Sequence, residues 1–218
     1  MTLPWLRLPA PPSPLTPAPP GGLRIGHRGG LAHGPENSLV AIRAAARLGA
    51  DAVELDVRHQ DGQLVCAHDR GQRGPLAVDA VALALDLGLR VELDLKSHGL
   101  DPAVGRVAEL LDGLDAHART WVTTFHPIAA WRLRHADRRL VVGWSIARSR
   151  VERLPLWTGW AMWLGVQVLA PHHGLLDAAR LTHWRSLGLT VETWGLATED
   201  AQTWLDQDVS VVIDALDR

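Results

Sequence analysis

The sequence predicts an α/β fold, a single (β/α)8 TIM barrel with a β-hairpin extension after its second strand. Short β-rich runs alternate with helical runs along nearly the whole chain, which implies parallel strands with right-handed crossovers. Setting the hairpin aside, the strand-like runs number eight, and eight units in roughly 200 residues suit a compact barrel. His27, Asp56, Asp94 and Lys96 fall near the ends of the first three barrel strands, where such barrels gather their functional groups. An open doubly wound sheet would not collect residues from three strands around one point so naturally.

The first 22 residues are proline-rich and nearly free of charge, and read as a flexible or polyproline arm. They lack the basic start and continuous apolar run of a signal peptide. The barrel domain is expected over residues 23–218. Leu23–His27 reads as the first strand. Ser38 is a candidate N-cap for an alanine-rich helix over Leu39–Leu48, with Gly49 as its stop. Ala52–Arg58 is the second strand. Asp61-Gly62 signals a tight turn, and Leu64–Ala67 returns as a hairpin strand that carries His68 back toward Asp56. A helix over Val78–Leu87 leads to a strand at Arg90–Leu95, and Pro102 opens the next helix, to about Leu111. The remaining strands are read at Trp121–Thr124, Leu140–Trp144, Val166–Leu169, Thr190–Trp194 and Ser210–Ile213. Helical runs separate them near Ile128–His135, Val151–Leu164, Leu176–Leu187 and Thr198–Leu205.

At 218 residues and 47% hydrophobic content, the chain can bury a substantial core as one domain. A net charge of -2 carries no nucleic-acid footprint, so no nucleic-acid partner is expected. The single cysteine, Cys66, excludes an intrachain disulfide framework and a cysteine-based zinc site, and reads as an inert core thiol. The longest apolar stretch, Leu154–Ala170, is broken by Thr158, Gly159, Gly165 and Gln167, so no membrane span is expected. A cytoplasmic location is the corresponding expectation.

The chemistry concentrates between His27 and Asp69. Residues i and i+2 of a strand share a face, so Glu54 and Asp56 project together, away from Val53, Leu55 and Val57. Val91-Glu92-Leu93-Asp94-Leu95-Lys96 repeats the pattern, with Glu92, Asp94 and Lys96 on one face. Buried carboxylates are costly unless paired or bound to metal, so two acidic inward faces are hard to explain as ordinary core. Paired histidines, an arginine and spaced carboxylates are the groups that metal-assisted phosphodiester hydrolysis requires.

The ordered segments His27-Arg28-Gly29, Pro35-Glu36-Asn37-Ser38, Val53-Glu54-Leu55-Asp56-Val57, His68-Asp69 and Glu92-Leu93-Asp94-Leu95-Lys96 resemble the glycerophosphodiester phosphodiesterase family. Thr123-Thr124-Phe125-His126-Pro127, Ala170-Pro171-His172-His173, Val191-Glu192-Thr193-Trp194 and Val211-Val212-Ile213-Asp214 extend the resemblance to roughly Leu23–Asp214. It implies His27 and His68 as general acid and base, and Arg28 and Lys96 as phosphate holders. It also implies Glu54 and Asp56 as metal ligands, with Asp94 at the third ligand position. All-oxygen ligation favours Mg²⁺ or Ca²⁺ over zinc. The implied reaction cleaves a glycerophosphodiester to sn-glycerol 3-phosphate and an alcohol, in glycerol and lipid metabolism. The attacking oxygen would be the glycerol 2-hydroxyl, giving a cyclic phosphate that water then opens. A sphingomyelinase D-like phospholipase D and a non-catalytic phosphate-binding barrel are the alternatives.

Three features depart from the family pattern. Asp94 is a methylene shorter than the family's Glu. Gly195, Leu196 and Ala197 replace the segment with Asn that follows the Trp. Only 27 residues separate His68 from Lys96, where relatives carry a longer insertion. Register with Lys96 favours Asp94 over Glu92 as ligand, leaving Glu92 a layer deeper as partner for a cation. His172 reads either as a substrate contact at the barrel mouth or as a bystander, and Trp194 either as a site wall or as barrel core. Trp157, Trp160 and Trp163 read as barrel packing, or as a dimer or interfacial contact. His33, His59, His98, His117, His135 and His183 read as surface residues.

Overall fold

Eight parallel strands close into a ring in the computed structural model, and a ninth lies outside it. The structure describes residues 14–96, 101–149 and 154–216, the side chains of 154–158 excepted. The strands are β1 (Arg24–Gly26), β2 (Ala52–Gln60), β3 (Gln63–Cys66), β4 (Arg90–Leu95) and β5 (Thr120–Thr123). β6 (Val141–Ile146), β7 (Val168–Pro171), β8 (Thr190–Thr193) and β9 (Ser210–Ile213) complete the set. Around the ring the order is β1, β2, β4, β5, β6, β7, β8, β9, with β1 paired to both β2 and β9. The helices between them are α1 (Leu39–Arg47), α2 (Ala77–Asp86), α3 (Ala103–Gly113), α4 (Pro127–Ala136), α5 (Leu154–Leu164), α6 (Ala178–Ser186) and α7 (Ala201–Leu205).

The strand alternation sorts side chains as read from the sequence. Val53, Leu55, Val57, Val91, Leu93 and Leu95 face outward into a core shared with Ile42, Val81, Val104, Val107 and Leu133 of the helix layer. Inside the ring, Ile25, Ala52, Trp121, Val141, Val168 and Val212 pack the floor. Inward positions higher on β2 and β4 carry the carboxylates, with Glu54 level with Glu92 and Asp56 level with Asp94. Gly143 makes room within the ring, since a Cβ there would lie 2.8 Å from Thr123 Cγ2.

β2 explains how the hairpin reaches the barrel mouth. Its lower half pairs with β1 through Ala52 and Val53, and its upper half pairs antiparallel with β3 from Val57 to Gln60. β1 stops after three residues, and β3 takes over the same edge above it. The strand expected to include His27 therefore ends at Gly26, and His27–Gly29 form a single 3₁₀ turn. α1 starts at Ser38, whose side chain accepts from Ala41 N at 3.2 Å, and Gly49 follows it with φ +76°.

The proline-rich arm is not free of the barrel over its last residues. Gln167 Nε2 donates to the Thr16 carbonyl at 2.7 Å, Thr190 Oγ1 to that of Pro19 at 3.2 Å, and Ser210 Oγ to that of Pro20 at 3.5 Å. Residues 16–20 thus meet the N-terminal ends of β7, β8 and β9, because proline carbonyls remain good acceptors. Residues 1–13 lie outside the described residues. His117, expected at the surface, is buried, with its Nε2 3.2 Å from Asp137 Oδ2. Trp160 and Trp163 are half-buried against the outer core, their rings 6.4 Å apart. The Trp157 side chain and His98 lie outside the described residues. Among the described residues no helix is long and apolar enough to cross a membrane.

Candidate active site

At the C-terminal end of the barrel, a cavity of about 580 Å³ is lined by His27, Arg28, Glu54, His68, Asp94 and Lys96, and by Trp194 across from them. Seven of the sequence-derived site residues therefore share one space. Asp56 lies behind this wall, 1% exposed, and His172 does not line the cavity.

Glu54, Asp56 and Asp94 each offer an oxygen within 4.8 Å of the others. Among the described residues they are the one such group of ligand-type side chains. Asp56 is held from two sides by Asn37, whose Nδ2 donates to Oδ2 and whose Oδ1 accepts from Asp56 N, both at 2.9 Å. Asn37, which sequence reading placed in a motif but gave no role, sits at φ +57° to make both bonds. Lys96 Nζ lies 2.7 Å from Asp56 Oδ1 and 2.5 Å from Asp94 Oδ2. Asp94 Oδ1 is buried without a donor.

The electrostatics follow from burial and these partners. Burial, reinforced by Asp56, pushes the Glu54 carboxyl well above the usual carboxylate range. Asp94 is also raised by burial, which outweighs the ammonium of Lys96. Burial acts in the same sense on Asp56, but Lys96, Asn37 and Arg28 together bring it below its ordinary value. Lys96 is partly desolvated, yet Asp94, Asp56 and Glu54 hold its ammonium firmly charged. The three carboxylates fit a hard divalent cation: all donors are oxygen, the spacing is right, and a buried Asp94 oxygen lacks a partner.

The 3₁₀ turn after β1 aims the first histidine and the arginine. Arg28 adopts φ +48°, a left-handed conformation costing about 1–3 kcal/mol that its surroundings must hold. Its N–H donates to Glu54 Oε2 at 2.8 Å, and its carbonyl accepts from Asn37 N at 2.7 Å. Its guanidinium pairs with Glu36 and approaches Asp56 Oδ2 at 3.3 Å. His27 Nδ1 lies 2.5 Å from Asp214 Oδ1 at the end of β9, and Nε2 lies 3.9 Å from Glu54 Oε2.

The second histidine is held through the hairpin. Its Nδ1 lies 3.1 Å from Asp69 Oδ1, so both rings rest on an aspartate through the same nitrogen. Gln72 Oε1 accepts from His68 N at 2.9 Å and Asp69 N at 3.0 Å, while its Nε2 donates to Glu36. Arg58 Nε donates to the His68 carbonyl at 2.7 Å, and Nη1 to that of Lys96 at 3.2 Å. Gln72 and Arg58, which no motif marked, tie the loops carrying Arg28, His68 and Lys96 into one frame.

Trp194 and Phe125 form the apolar wall, ring centroids 5.5 Å apart at 82°, with Lys96 Nζ 5.8 Å from the Phe125 centroid. Trp194 lines the cavity, half-buried, with its indole Nε1 donating to the Ala170 carbonyl at 3.0 Å. His172 instead backs Trp194 from behind, centroids 4.8 Å apart, with Nδ1 accepting from Gly174 N. Gly195 permits this placement, because a Cβ there would lie 2.8 Å from His172 Nε2. Of the two readings of His172, its place outside the cavity lining and against the indole fits support of the tryptophan. Burial, with His173 and Arg148 nearby, lowers the His172 pKa.

Glu92, expected to meet a deeper cation, meets Glu192 instead. Burial, then the neighbouring Glu192 carboxyl, raises Glu92 well above its ordinary value. Burial pushes Glu192 up to about 7. Burial also pushes the Cys66 thiol up to about 12, in keeping with an inert core position.

Residues 27–81 match the profile of the glycerophosphoryl diester phosphodiesterase family. Human glycerophosphodiester phosphodiesterase 1 is 22% identical over 79% of this chain and 71% of its own length. Among solved structures, an Oleispira antarctica phosphodiesterase in complex with the product sn-glycerol-3-phosphate superposes with a TM-score of 0.74 at 20% identity, covering 88% of this chain and 92% of that one. An Agrobacterium tumefaciens putative glycerophosphoryl diester phosphodiesterase reaches a TM-score of 0.78 at 19% identity, over 88% and 93%. The segment matching the family includes His27, Arg28, Glu54, Asp56 and His68, so family likeness and cavity geometry meet on the same side chains.

Proposed function

We propose that this chain, a member of the glycerophosphodiester phosphodiesterase family, hydrolyses glycerophosphodiesters to sn-glycerol 3-phosphate and an alcohol, with His27 and His68 as the acid–base pair. The observation that carries this reading is the one cavity lined by two aspartate-anchored histidines, two cations, Glu54 and Asp94, with Asp56 grouped with the two carboxylates from behind the wall.

Glu54, Asp56 and Asp94 would hold a divalent cation, Mg²⁺ or Ca²⁺. When bound, it supplies Lewis-acid stabilisation of charge developing on the phosphate. Arg28 and Lys96 supply fixed positive charge for the non-bridging oxygens. Asp214 and Asp69 each face an Nδ1, which selects the tautomer that leaves Nε2 free to accept a proton. One Nε2 takes the proton of the attacking oxygen, and the other histidine, protonated, returns one to the departing alcohol oxygen. Phe125 and Trp194 pack the carbon skeleton and exclude water from one side of the phosphate.

Release of sn-glycerol 3-phosphate from glycerophosphocholine, with and without EDTA, tests the reading. EDTA-sensitive release is the expected result. Choline release from sphingomyelin or lysophosphatidylcholine, with glycerophosphocholine left intact, would favour the phospholipase D alternative, and phosphate-ester binding without turnover would favour a non-catalytic barrel.

A further inference from the structure

Level with Glu54 and below Asp94, the cavity carries two further carboxyl groups that the hydrolysis does not use. Glu92 and Glu192 sit two residues below Asp94 and Trp194 on β4 and β8, strands that stand directly opposite in the ring. They are 3% and 2% exposed, and both line the cavity. Thr123 Oγ1 donates to Glu92 Oε1 at 2.6 Å, and Trp121 Nε1 donates to Glu192 Oε2 at 3.1 Å. The two carboxyl groups face each other across the barrel, close enough for each to act on the other's charge. Among the described residues no N–H or hydroxyl donates to Glu92 Oε2.

Ordinary barrel packing does not account for this pair. The level just below is apolar, built from Ile25, Ala52, Trp121, Val141 and Val168, and a valine or leucine pair would extend it without desolvating a carboxyl group. A second metal site does not account for it either. Neither glutamate joins the group of ligand-spaced side chains, and no third ligand stands with them among the described residues. Glu92 Oε2 is thus a buried acceptor in the cavity wall that no donor among the described residues meets. An alcohol O–H reaching down from the mouth supplies that donor. Two residues along a strand span about 6.6 Å, a drop comparable to the length of a three-carbon chain hung from a phosphate at the Asp94 level.

We propose that the Glu92–Glu192 pair seats the terminal hydroxyl of the glycerol half, making this a site for phosphodiesters of small polyols chosen by their free hydroxyl. The assignment rests on the hydrolytic reading above for the position of the phosphate.

The test compares glycerophosphocholine with 2-hydroxypropyl phosphocholine, which keeps the hydroxyl next to the phosphate-bearing carbon and lacks the terminal one. In the metal-loaded wild-type protein, kcat/KM favours the glycerol compound by roughly a hundredfold, because the analogue leaves the buried pair unmatched. Glu192→Gln keeps most of that preference, since an amide also donates and accepts, and Glu192→Val brings the two values within about threefold. A wild-type ratio near one, or a ratio unchanged in Glu192→Val, overturns the proposal. Calorimetric binding of sn-glycerol 3-phosphate against 2-hydroxypropyl phosphate to wild-type protein gives the same comparison without a variant, and equal affinities overturn it. Cleavage of both diesters at equal efficiency leaves hydrolysis standing and removes the pair's role. Absence of cleavage, with the glycerol phosphate still bound preferentially, does the reverse.

Discussion

Asp214 Oδ1 lies 2.5 Å from His27 Nδ1, joining the end of the last barrel strand to the turn that follows the first. The contact closes the ring chemically as well as geometrically, because β9 and β1 are neighbours whose backbones pair from Arg24 to Gly26. It fixes the ring plane of a histidine whose other nitrogen faces Glu54 at 3.9 Å.

The Asp214 contact gives a first expectation. Asp214→Asn keeps the side chain's size but can present its amide donor to Nδ1, favouring the tautomer with the proton on Nε2. Turnover is expected to fall by about ten- to a hundredfold, part of the 10²–10⁴ that a general acid or base supplies. KM should change little, because Asp214 does not hold the phosphate. A variant with normal kcat would leave the contact a surface ion pair.

His27→Ala and His68→Ala are each expected to lower kcat by roughly a hundred- to ten-thousand-fold without unfolding the protein. Both rings are partly exposed, at 32% and 37%, so neither supports the core. Steady-state kinetics on a small-alcohol substrate, with circular dichroism as the folding control, makes the check. Near-normal turnover in either variant would show the pair to be misassigned.

Asp94→Ala is expected to abolish tight Mg²⁺ or Ca²⁺ binding, whereas Glu92→Ala keeps it, because only Asp94 stands with Glu54 and Asp56 in the ligand-spaced group. Burial raises Glu54 and Asp94 above the usual carboxylate range, so protons compete with the cation. Affinity should therefore strengthen as pH rises, with protons released on binding. Calorimetric titration in buffers of different ionisation enthalpy reads both effects. Binding that is pH-independent, or lost only in Glu92→Ala, would reverse the ligand assignment.

Glu192 sets an expectation for stability. Its folded-state pKa of about 7 exceeds the unfolded value of roughly 4.3, so between these limits the native state holds the proton and the unfolded state does not. The stabilisation is full below about pH 4 and is lost as pH climbs through 7, a loss of order 4 kcal/mol. Glu54, Glu92 and Asp94 act in the same sense, so the readout is the difference between wild type and Glu192→Gln. Urea unfolding at pH 5 and pH 8 in EDTA should show a steeper loss in the wild type. Equal losses would remove Glu192 as a source.

Much of this site was legible because strand periodicity is local. Val53-Glu54-Leu55-Asp56 and Val91-Glu92-Leu93-Asp94 declare their faces by alternation alone, and Asp61-Gly62 declares the hairpin that returns His68. The contacts across the ring were hidden. Glu92 meets Glu192, and His27 meets Asp214 over a separation of 187 residues, only once eight strands have closed. The place of His172 was hidden for a related reason. Its motif placed it at the mouth, but the missing side chain at Gly195 lets the ring settle behind Trp194, and nothing within either motif records that fit.

Discrimination among leaving alcohols is expected to be weak. The chain between β3 and α2, from Ala67 to Leu76, is a loop without helix or ladder strand of its own, and its contacts serve His68 and Glu36 through Gln72. It provides too little structure for a separate cap over the mouth. Under the proposed reading, Arg28, Lys96, the carboxylate cluster and the Glu92–Glu192 pair would all serve the phosphate and the polyol half. That would leave Phe125, Leu196 and Ala197, apolar side chains without a hydrogen-bonding group, for the alcohol. Each absent polar contact forfeits about 1–3 kcal/mol of discrimination, so headgroups that differ in polar decoration should be treated nearly alike. Measured at one metal concentration, kcat/KM values for glycerophosphocholine, glycerophosphoethanolamine, glycerophosphoglycerol and glycerophosphoinositol should fall within about tenfold of one another. A thousandfold preference for one of them would require a loop to fold over the alcohol. The segment carrying His172 and His173 is the nearest able to do so, since His173 N already bonds the Trp194 carbonyl at 3.0 Å.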